Sequence, residues 1–375
     1  MQASPGRGAS RLRRALGSLA LAGVSVAVTA LVLEAAFRLS GVSVGTVQVN
    51  RATVQRSDNP RLRFELRPGS GVRAEVDYRV NAEGLRGAET TVEKPTGARR
   101  VAVLGDSIAF GYWVSDADSF PRQLEAMLNG AGGAGGRVEV LNFGVPGYNL
   151  DQEIETLRAK ALAFSPDLVV VAFCLNDLEG LFSYELGLVQ DRATTRGGSW
   201  LGRLREALLG RSLLFSWIEY RLSELEARRG FVRARNPLDG PLYAEAVGQQ
   251  KAALEGKLAV LRSLLAPRGI PGVVVVFPVL GGRFERYPHR DLHRAVVEAA
   301  QSAGLAAVDL LDCYSAYGFR QLRVDVVHPS PLGHRVAAHA VRDALCARGW
   351  LCRGVPAGPT CTAYRASDFP TVRGY

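Results

Sequence analysis

The sequence predicts a three-layer α/β/α fold on a five-stranded parallel sheet, preceded by one N-terminal transmembrane helix. Three observations predict it. Five short apolar runs recur at 100–104, 138–142, 167–173, 273–277 and 306–311, and they read as continuous rather than alternating. Helical stretches separate them, so each strand is covered on both faces. An uncharged apolar run, Ala15 to Leu33, stands ahead of all of them.

The chain begins with a basic head, residues 1–14, carrying Arg7, Arg11, Arg13 and Arg14. A membrane anchor over 15–36 follows. Within Ala15 to Leu33 the polar residues are only Ser18, Ser25 and Thr29, too few to form the polar stripe of a core helix. Arginines on its N-terminal side predict a cytoplasmic N-terminus and an extracytoplasmic catalytic body, periplasmic or extracellular. A cleaved signal peptide is the rival reading, with Val28-Thr29-Ala30 as a small-residue site. A lead-in spans 37–98, with turn signals at Asn59-Pro60, Pro68-Gly69 and Asn81-Ala82-Glu83-Gly84 and a short strand expected within 72–80.

The main domain is expected over 99–348. Helices are read at 119–128, 151–163 (closed by Pro166), 242–265 (ended by Pro267 and Gly269), 290–302 and 331–348. The glycine-rich stretch 130–136 precedes the second strand instead of opening a helix after it, so it is a loop and not a nucleotide fingerprint. A helical insertion occupies 181–240, with an apolar stripe through Leu201, Leu204, Leu208, Leu213, Trp217 and Leu225. Packing on the domain is the plainer reading of that stripe; a lid or membrane-surface element is the other. The tail, 349–375, is irregular.

Composition narrows the function classes. Of 375 residues, 47% are hydrophobic and 22% charged, which excludes wholesale disorder. The net charge of +10 invites a nucleic-acid reading. The basic residues are nearly all Arg and are scattered instead of striped, so no nucleic-acid partner is expected. Five Cys are too few for a disulfide scaffold. Among Cys346, Cys352 and Cys361 one pair is expected to bridge, whereas Cys174 and Cys313 read as buried thiols.

Chemistry-bearing residues fall where strands end, which is where ligands bind in parallel sheets. The first strand runs into Gly105-Asp106-Ser107, presenting a Ser that is either a nucleophile or a helix cap. The second runs into Asn142-Phe143-Gly144, where a glycine N–H is an oxyanion donor or an ordinary loop amide. The third runs into Asn176-Asp177, an amide donor or an Asx turn. Ahead of the last helix, Asp325 stands three residues before His328, the spacing of an acid that orients a base. A zinc site from Asp325, His328 and His334 is the rival, but no H-E-x-x-H or C-x-x-C spacing accompanies it, so no metal and no cofactor are expected. His289 and His293 read as a solvated helix face, and His334 and His339 as structural.

These four motifs, in this order, resemble the SGNH (GDSL-type) hydrolase family, and Asn81-Ala82-Glu83-Gly84-Leu85-Arg86-Gly87 before VAVLGDS looks like its membrane-anchored bacterial branch. The resemblance covers roughly 100–345 and implies a flavodoxin-like sheet. It implies Ser107 as nucleophile, His328 as general base and Asp325 as its orienting partner. The Ser107 and Gly144 N–H groups and the Asn176 side chain would form the oxyanion hole. The third block often reads G-x-N-D; here Cys174 replaces the Gly. The expected activity is ester hydrolysis, on an acylated carbohydrate or lipid of the cell envelope. Acyl transfer to a polysaccharide with the same triad, a non-catalytic carbohydrate-binding module and a metal-assisted phosphodiesterase are the alternatives.

Overall fold

The computed structural model describes residues 7–39, 53–72, 78–130, 136–177, 212, 214–215, 218, 241–280, 284–287, 289–325 and 327–351. Nearly all of the expected insertion, the tail beyond residue 351 (with Cys352 and Cys361), and most of the glycine-rich loop lie outside the described residues. The chain divides into two compact units, 1–48 with 197–226 and 49–196 with 227–375.

In the first unit, α1 (Arg7–Leu39) is one continuous helix. Its stretch Ala20–Leu39 is long and apolar enough to cross a membrane, as an anchor or a signal sequence is. None of that stretch is buried by protein, and Leu21, Val26 and Leu31 stand open. Near its end Glu34 pairs with Arg38 and accepts the Ser212 hydroxyl at 2.8 Å and the Leu214 N–H at 3.0 Å. Ser212 in turn accepts the Phe215 N–H at 3.0 Å, in the manner of a helix cap.

The second unit opens with two small antiparallel ladders, β1 (Val54–Arg56) with β2 (Phe64–Leu66) and β3 (Gly71–Val72) with β4 (Tyr78–Arg79). The single strand expected over 72–80 is therefore two paired ones. The main sheet follows: β5 (Arg99–Gly105), then α2 (Ser107–Phe110) and α3 (Phe120–Asn129); β6 (Val138–Asn142) and α4 (Leu150–Ala159); β7 (Leu168–Cys174) and α5 (Pro241–Leu265); β8 (Gly272–Phe277) and α6 (Arg290–Ser302); β9 (Ala306–Asp309), α7 (Leu311–Ser315), α8 (Phe319–Leu322) and α9 (Pro331–Ala347). All five main strands are parallel, in the order β6-β5-β7-β8-β9. The order reverses at β5, so a crevice opens between the carboxyl ends of β5 and β7.

Period-two alternation splits the strands between two cores. Val101, Val103, Val170 and Val275 face α3 and α9, whereas Ala102, Leu104, Val171 and Val274 face α4, α5 and α6. A third cluster joins the lead-in residues Leu62, Phe64, Leu66, Tyr78 and Val80 to Phe110, Tyr112, Val145 and Tyr148. β9 ends at Asp309 because that carboxylate accepts the Leu311 N–H at 2.9 Å and turns the chain into α7.

One buried cation ties the lead-in to the sheet. The Arg100 side chain is fully buried and donates to Glu139 at 2.8 Å and to the carbonyls of Thr91, Val92, Glu93 and Phe164. A buried guanidinium is tolerable only when its donors are matched in this way.

Candidate active site

β5 delivers Ser107 through a turn that only glycine supports. Gly105 has φ +153°, and a Cβ there would meet the Ala109 side chain at 2.5 Å and Ala172 at 3.1 Å. The cap of α2 is Asp106, not Ser107: Asp106 Oδ1 accepts the Ile108 N–H at 2.8 Å. That frees the Ser107 hydroxyl, whose Oγ lies 3.0 Å from His328 Nε2. The other ring nitrogen, Nδ1, lies 2.7 Å from Asp325 Oδ2. Asp325 Oδ1 accepts the backbone N–H groups of Val327 and His328, each at 2.8 Å, so the Asp-x-x-His turn aims its own carboxylate.

Burial alone would push the Asp325 carboxyl up. The His328 charge, the ring hydrogen bond and the two backbone donors outweigh it and hold that carboxyl well below the usual range. An ionised carboxylate only accepts, so Nδ1 carries a proton and Nε2 is the acceptor for the Ser107 hydroxyl. The arrangement can move a proton from Ser107 to His328 and hold the resulting imidazolium.

Gly144 lies in the loop that leaves β6, where the sequence reading puts it. Its N–H donates to Asn142 Oδ1 at 2.9 Å, and a Cβ on Gly144 would run into the Phe110 amide and Ala109. The glycine there lets the loop pack against α2, and its amide is already engaged. Asn142 also donates to the Ala109 carbonyl at 2.9 Å, tying the two loops together. Asn176 lies in the 3-10 turn Leu175–Asp177 at the end of β7; its side chain lies outside the described residues. Cys174, in place of the usual glycine, points its thiol at Asp106 Oδ2, 3.4 Å away.

His334, read from the sequence as structural, is buried: its Nδ1 accepts the Phe120 N–H at 3.2 Å, and burial lowers it to about 3, so the ring is neutral. His293 is not solvated: it is 1% exposed, bridging Asp309 (2.7 Å) and the Tyr287 hydroxyl (3.0 Å). His289 is buried as well, because this face of α6 turns inward. Cys313 is disulfide-bonded, as is Cys346, and Cys174 is a free buried thiol. An apolar, fully buried setting does not distinguish a half-cystine from a thiol.

Sequence reasoning missed three neighbours of the site. Trp113 donates its indole N–H to Asp325 Oδ2 at 3.2 Å. The Tyr112 ring lies 5.1 Å from that of His328, tilted by 31°. Glu153, on α4, is 1% exposed with both carboxylate oxygens lacking a hydrogen-bond partner among the described residues. Burial, then the charges of Asp177 and Asp106, push its carboxyl well up, and Asp177 is raised by burial and Asp106 in the same way. No local motif marks any of the three.

Comparison with known proteins places the chain. Among solved structures it is similar to an alpha/beta hydrolase, LAE5, from the metagenome of Lake Arreo, Spain (17% identity, TM-score 0.42, 68% of this chain and 97% of that one). It is similar too to the acetyl xylan esterase AlAXEase (14%, TM-score 0.41, 66% and 99%). A third is the lipase/acylhydrolase from Enterococcus faecalis (16%, TM-score 0.40, 67% and 96%). No curated protein sequence matches. The profile of the GDSL-like Lipase/Acylhydrolase family matches residues 103–336, the stretch that carries the strand-end motifs and most of the sheet. The chain therefore belongs to the GDSL-like lipase/acylhydrolase family and is an ester-hydrolysing enzyme of the SGNH type.

Proposed function

We propose that this enzyme is a membrane-anchored, extracytoplasmic serine esterase that removes acetyl or other acyl groups from cell-envelope carbohydrate or lipid. The observation that carries the reading is the 3.0 Å approach of His328 Nε2 to Ser107 Oγ, with Nδ1 held on Asp325. A Ser hydroxyl needs such a base to attack. His328 takes the Ser107 proton as Oγ attacks the ester carbonyl. The tetrahedral oxyanion is met by the Ser107 N–H, which makes no hydrogen bond among the described residues, and by the Asn176 amide. The third donor is taken from the loop that carries Gly144 and Gly147: the Gly144 N–H is given to Asn142 Oδ1, whereas the Gly147 N–H, at φ +86°, donates to no group among the described residues. His328 then gives its proton to the leaving alkoxide. A water, deprotonated by His328, releases the acyl group as a carboxylic acid and restores Ser107.

Arg11, Arg13 and Arg14 ahead of the apolar helix favour a cytoplasmic N-terminus, so the domain faces outward. The disulfide-bonded Cys313 and Cys346 fit an oxidising compartment. The domain boundaries read from the sequence, 1–14, 15–36, 37–98, 99–348 and 349–375, are kept as part of this reading. The test is hydrolysis of p-nitrophenyl acetate by the detergent-solubilised chain. Wild type should turn over and Ser107→Ala should lose at least about a thousand-fold in kcat. Equal turnover by the two would overturn the proposal.

A further inference from the structure

Trp113 has φ +70°, a region that a bulky aromatic side chain rarely enters. Strain of this kind persists only where the surroundings over-determine it, and it gathers at functional sites. Here the surroundings are one buried cation. Arg86, whose side chain is 1% exposed, donates through Nη1 to the carbonyl oxygens of Phe110 (2.6 Å) and Gly111 (2.5 Å), through Nη2 to that of Val114 (2.6 Å), and through Nε to Asp116 (2.8 Å). Two of these acceptors precede Trp113 and two follow it. The guanidinium also lies against the rings of Tyr78 and Phe110, 5.0 and 4.7 Å from their centroids, and the two rings pack edge to face on each other. The turn after the nucleophile helix thus has one conformation, and the lead-in segment imposes it.

That turn delivers two aromatic groups to the same place. The Trp113 N–H reaches Asp325 Oδ2, the oxygen that also holds His328 Nδ1, and the Tyr112 ring lies against the His328 ring. Tyr112 and Trp113 pack edge to face, 5.2 Å apart. We propose that Trp113, locked by Arg86, is a positioning residue for the Asp325–His328 pair, so that the lead-in is a working part of the active site. This rests on the reading of Ser107, His328 and Asp325 given above. Trp113 fixes the rotation of the Asp325 carboxylate and takes up part of the charge on Oδ2, and so moderates the pull of that oxygen on the imidazolium.

Besides Tyr112, whose ring lies against His328, two titratable groups near the pair each have a partner. Asp116 holds Arg86, and the buried His334 takes the Phe120 amide and is neutral. A change in the pH profile on substitution at Trp113 therefore reports on Asp325 and His328.

The experiment compares kcat/KM for p-nitrophenyl acetate against pH for the full chain carrying Trp113→Phe, Trp113→Gly or Ser107→Ala. Trp113→Phe keeps an aromatic ring, though a smaller one, and loses the N–H; Trp113→Gly relieves the backbone and loses both. Both Trp113 variants should fall about ten-fold in kcat/KM, mainly through kcat. Their acid limb should move to higher pH, because Oδ2 keeps its full charge for the imidazolium. An acid limb unmoved from wild type in either variant overturns the proposal, whatever the loss of rate. Ser107→Ala separates the two levels: full activity in that variant defeats the underlying site reading, whereas its inactivity beside an unmoved limb defeats only the role of Trp113.

Discussion

His328 Nε2 stands 3.0 Å from Ser107 Oγ, across 221 residues of sequence. The sheet makes the meeting possible. Ser107 rides on the carboxyl end of β5 at the point where strand order reverses, and His328 sits on the loop that enters α9. α3 and α9 share one apolar core, through Phe120, Leu124, Val336 and Val341, so the two halves of the site are fixed to the same face of the sheet.

Asp325 is the proposed orienting member of this arrangement. Replacing it with Asn leaves the shape but allows the amide to favour the wrong tautomer of His328. Asp325→Asn should lower kcat by about 10²–10⁴-fold while the protein melts close to wild type. The Asp325 carboxyl lies well below its usual range in the folded state. Its contribution to stability is therefore present above the ordinary carboxylate range and is lost as pH falls through the folded value. A kcat–pH profile from pH 4 upward should show no inflection attributable to Asp325.

Gly105 and Gly144 serve the backbone, each in its own way. Gly105→Ala must accept φ +153° and contacts with Ala109 and Ala172. It should cost about 2–4 kcal/mol in urea unfolding, with activity lost in whatever folds. Gly144→Ala drives a methyl into α2 and should be comparably damaging, whereas Asn142→Ala frees the Gly144 amide and loosens both loops.

Arg100 holds five partners while fully buried. Arg100→Leu removes a donor from Glu139 and from four carbonyls, of which Glu139 keeps Arg137 and the Glu93 carbonyl keeps the Thr91 hydroxyl, and should destabilise by about 3–5 kcal/mol, read as a drop in the denaturation midpoint.

Two buried groups set opposite limits on stability against pH. Glu153 is raised well above its ordinary 4.5, so the folded state holds a proton that the unfolded state releases. Stability from this group is full below about 4.5 and declines as pH rises toward the folded value. His334 runs the other way. Lowered from 6.5 to about 3, it stays neutral when folded, so stability is lost as pH falls from about 6.5 toward 3. Melting temperatures measured from pH 5 to 9 should fall on the alkaline side in wild type and fall less in Glu153→Gln. Identical alkaline slopes would show that Glu153 carries no buried proton.

Much of this was legible from residues alone, for physical reasons. The runs of β-branched residues in β7 and β8 cannot be anything but doubly covered strands once helices flank them, and Gly105-Asp106-Ser107 at the end of β5 marks a tight strand-to-helix turn. What was not legible depends on direction and distance. Periodicity places His293 on α6 but does not say that its face meets Asp309 and Tyr287. Gly144 looks the same whether its amide is free or spoken for by Asn142. Arg86 sits in a recognisable turn, yet nothing local says that its guanidinium will hold carbonyls 24 to 28 residues away. Trp113 carries no signal of a positive φ, because its conformation is imposed by Arg86 and not by its own preference.

The proposed nucleophile is Ser107, activated by His328. A fluorophosphonate probe reacts with an activated Ser and with few others, so intact-protein and peptide mass spectrometry after labelling test the claim most directly. One phosphonyl adduct is expected, on the peptide that contains Ser107, absent from Ser107→Ala and strongly slowed in His328→Ala. A wild-type chain that takes no label, or that takes it equally in Ser107→Ala, would contradict it.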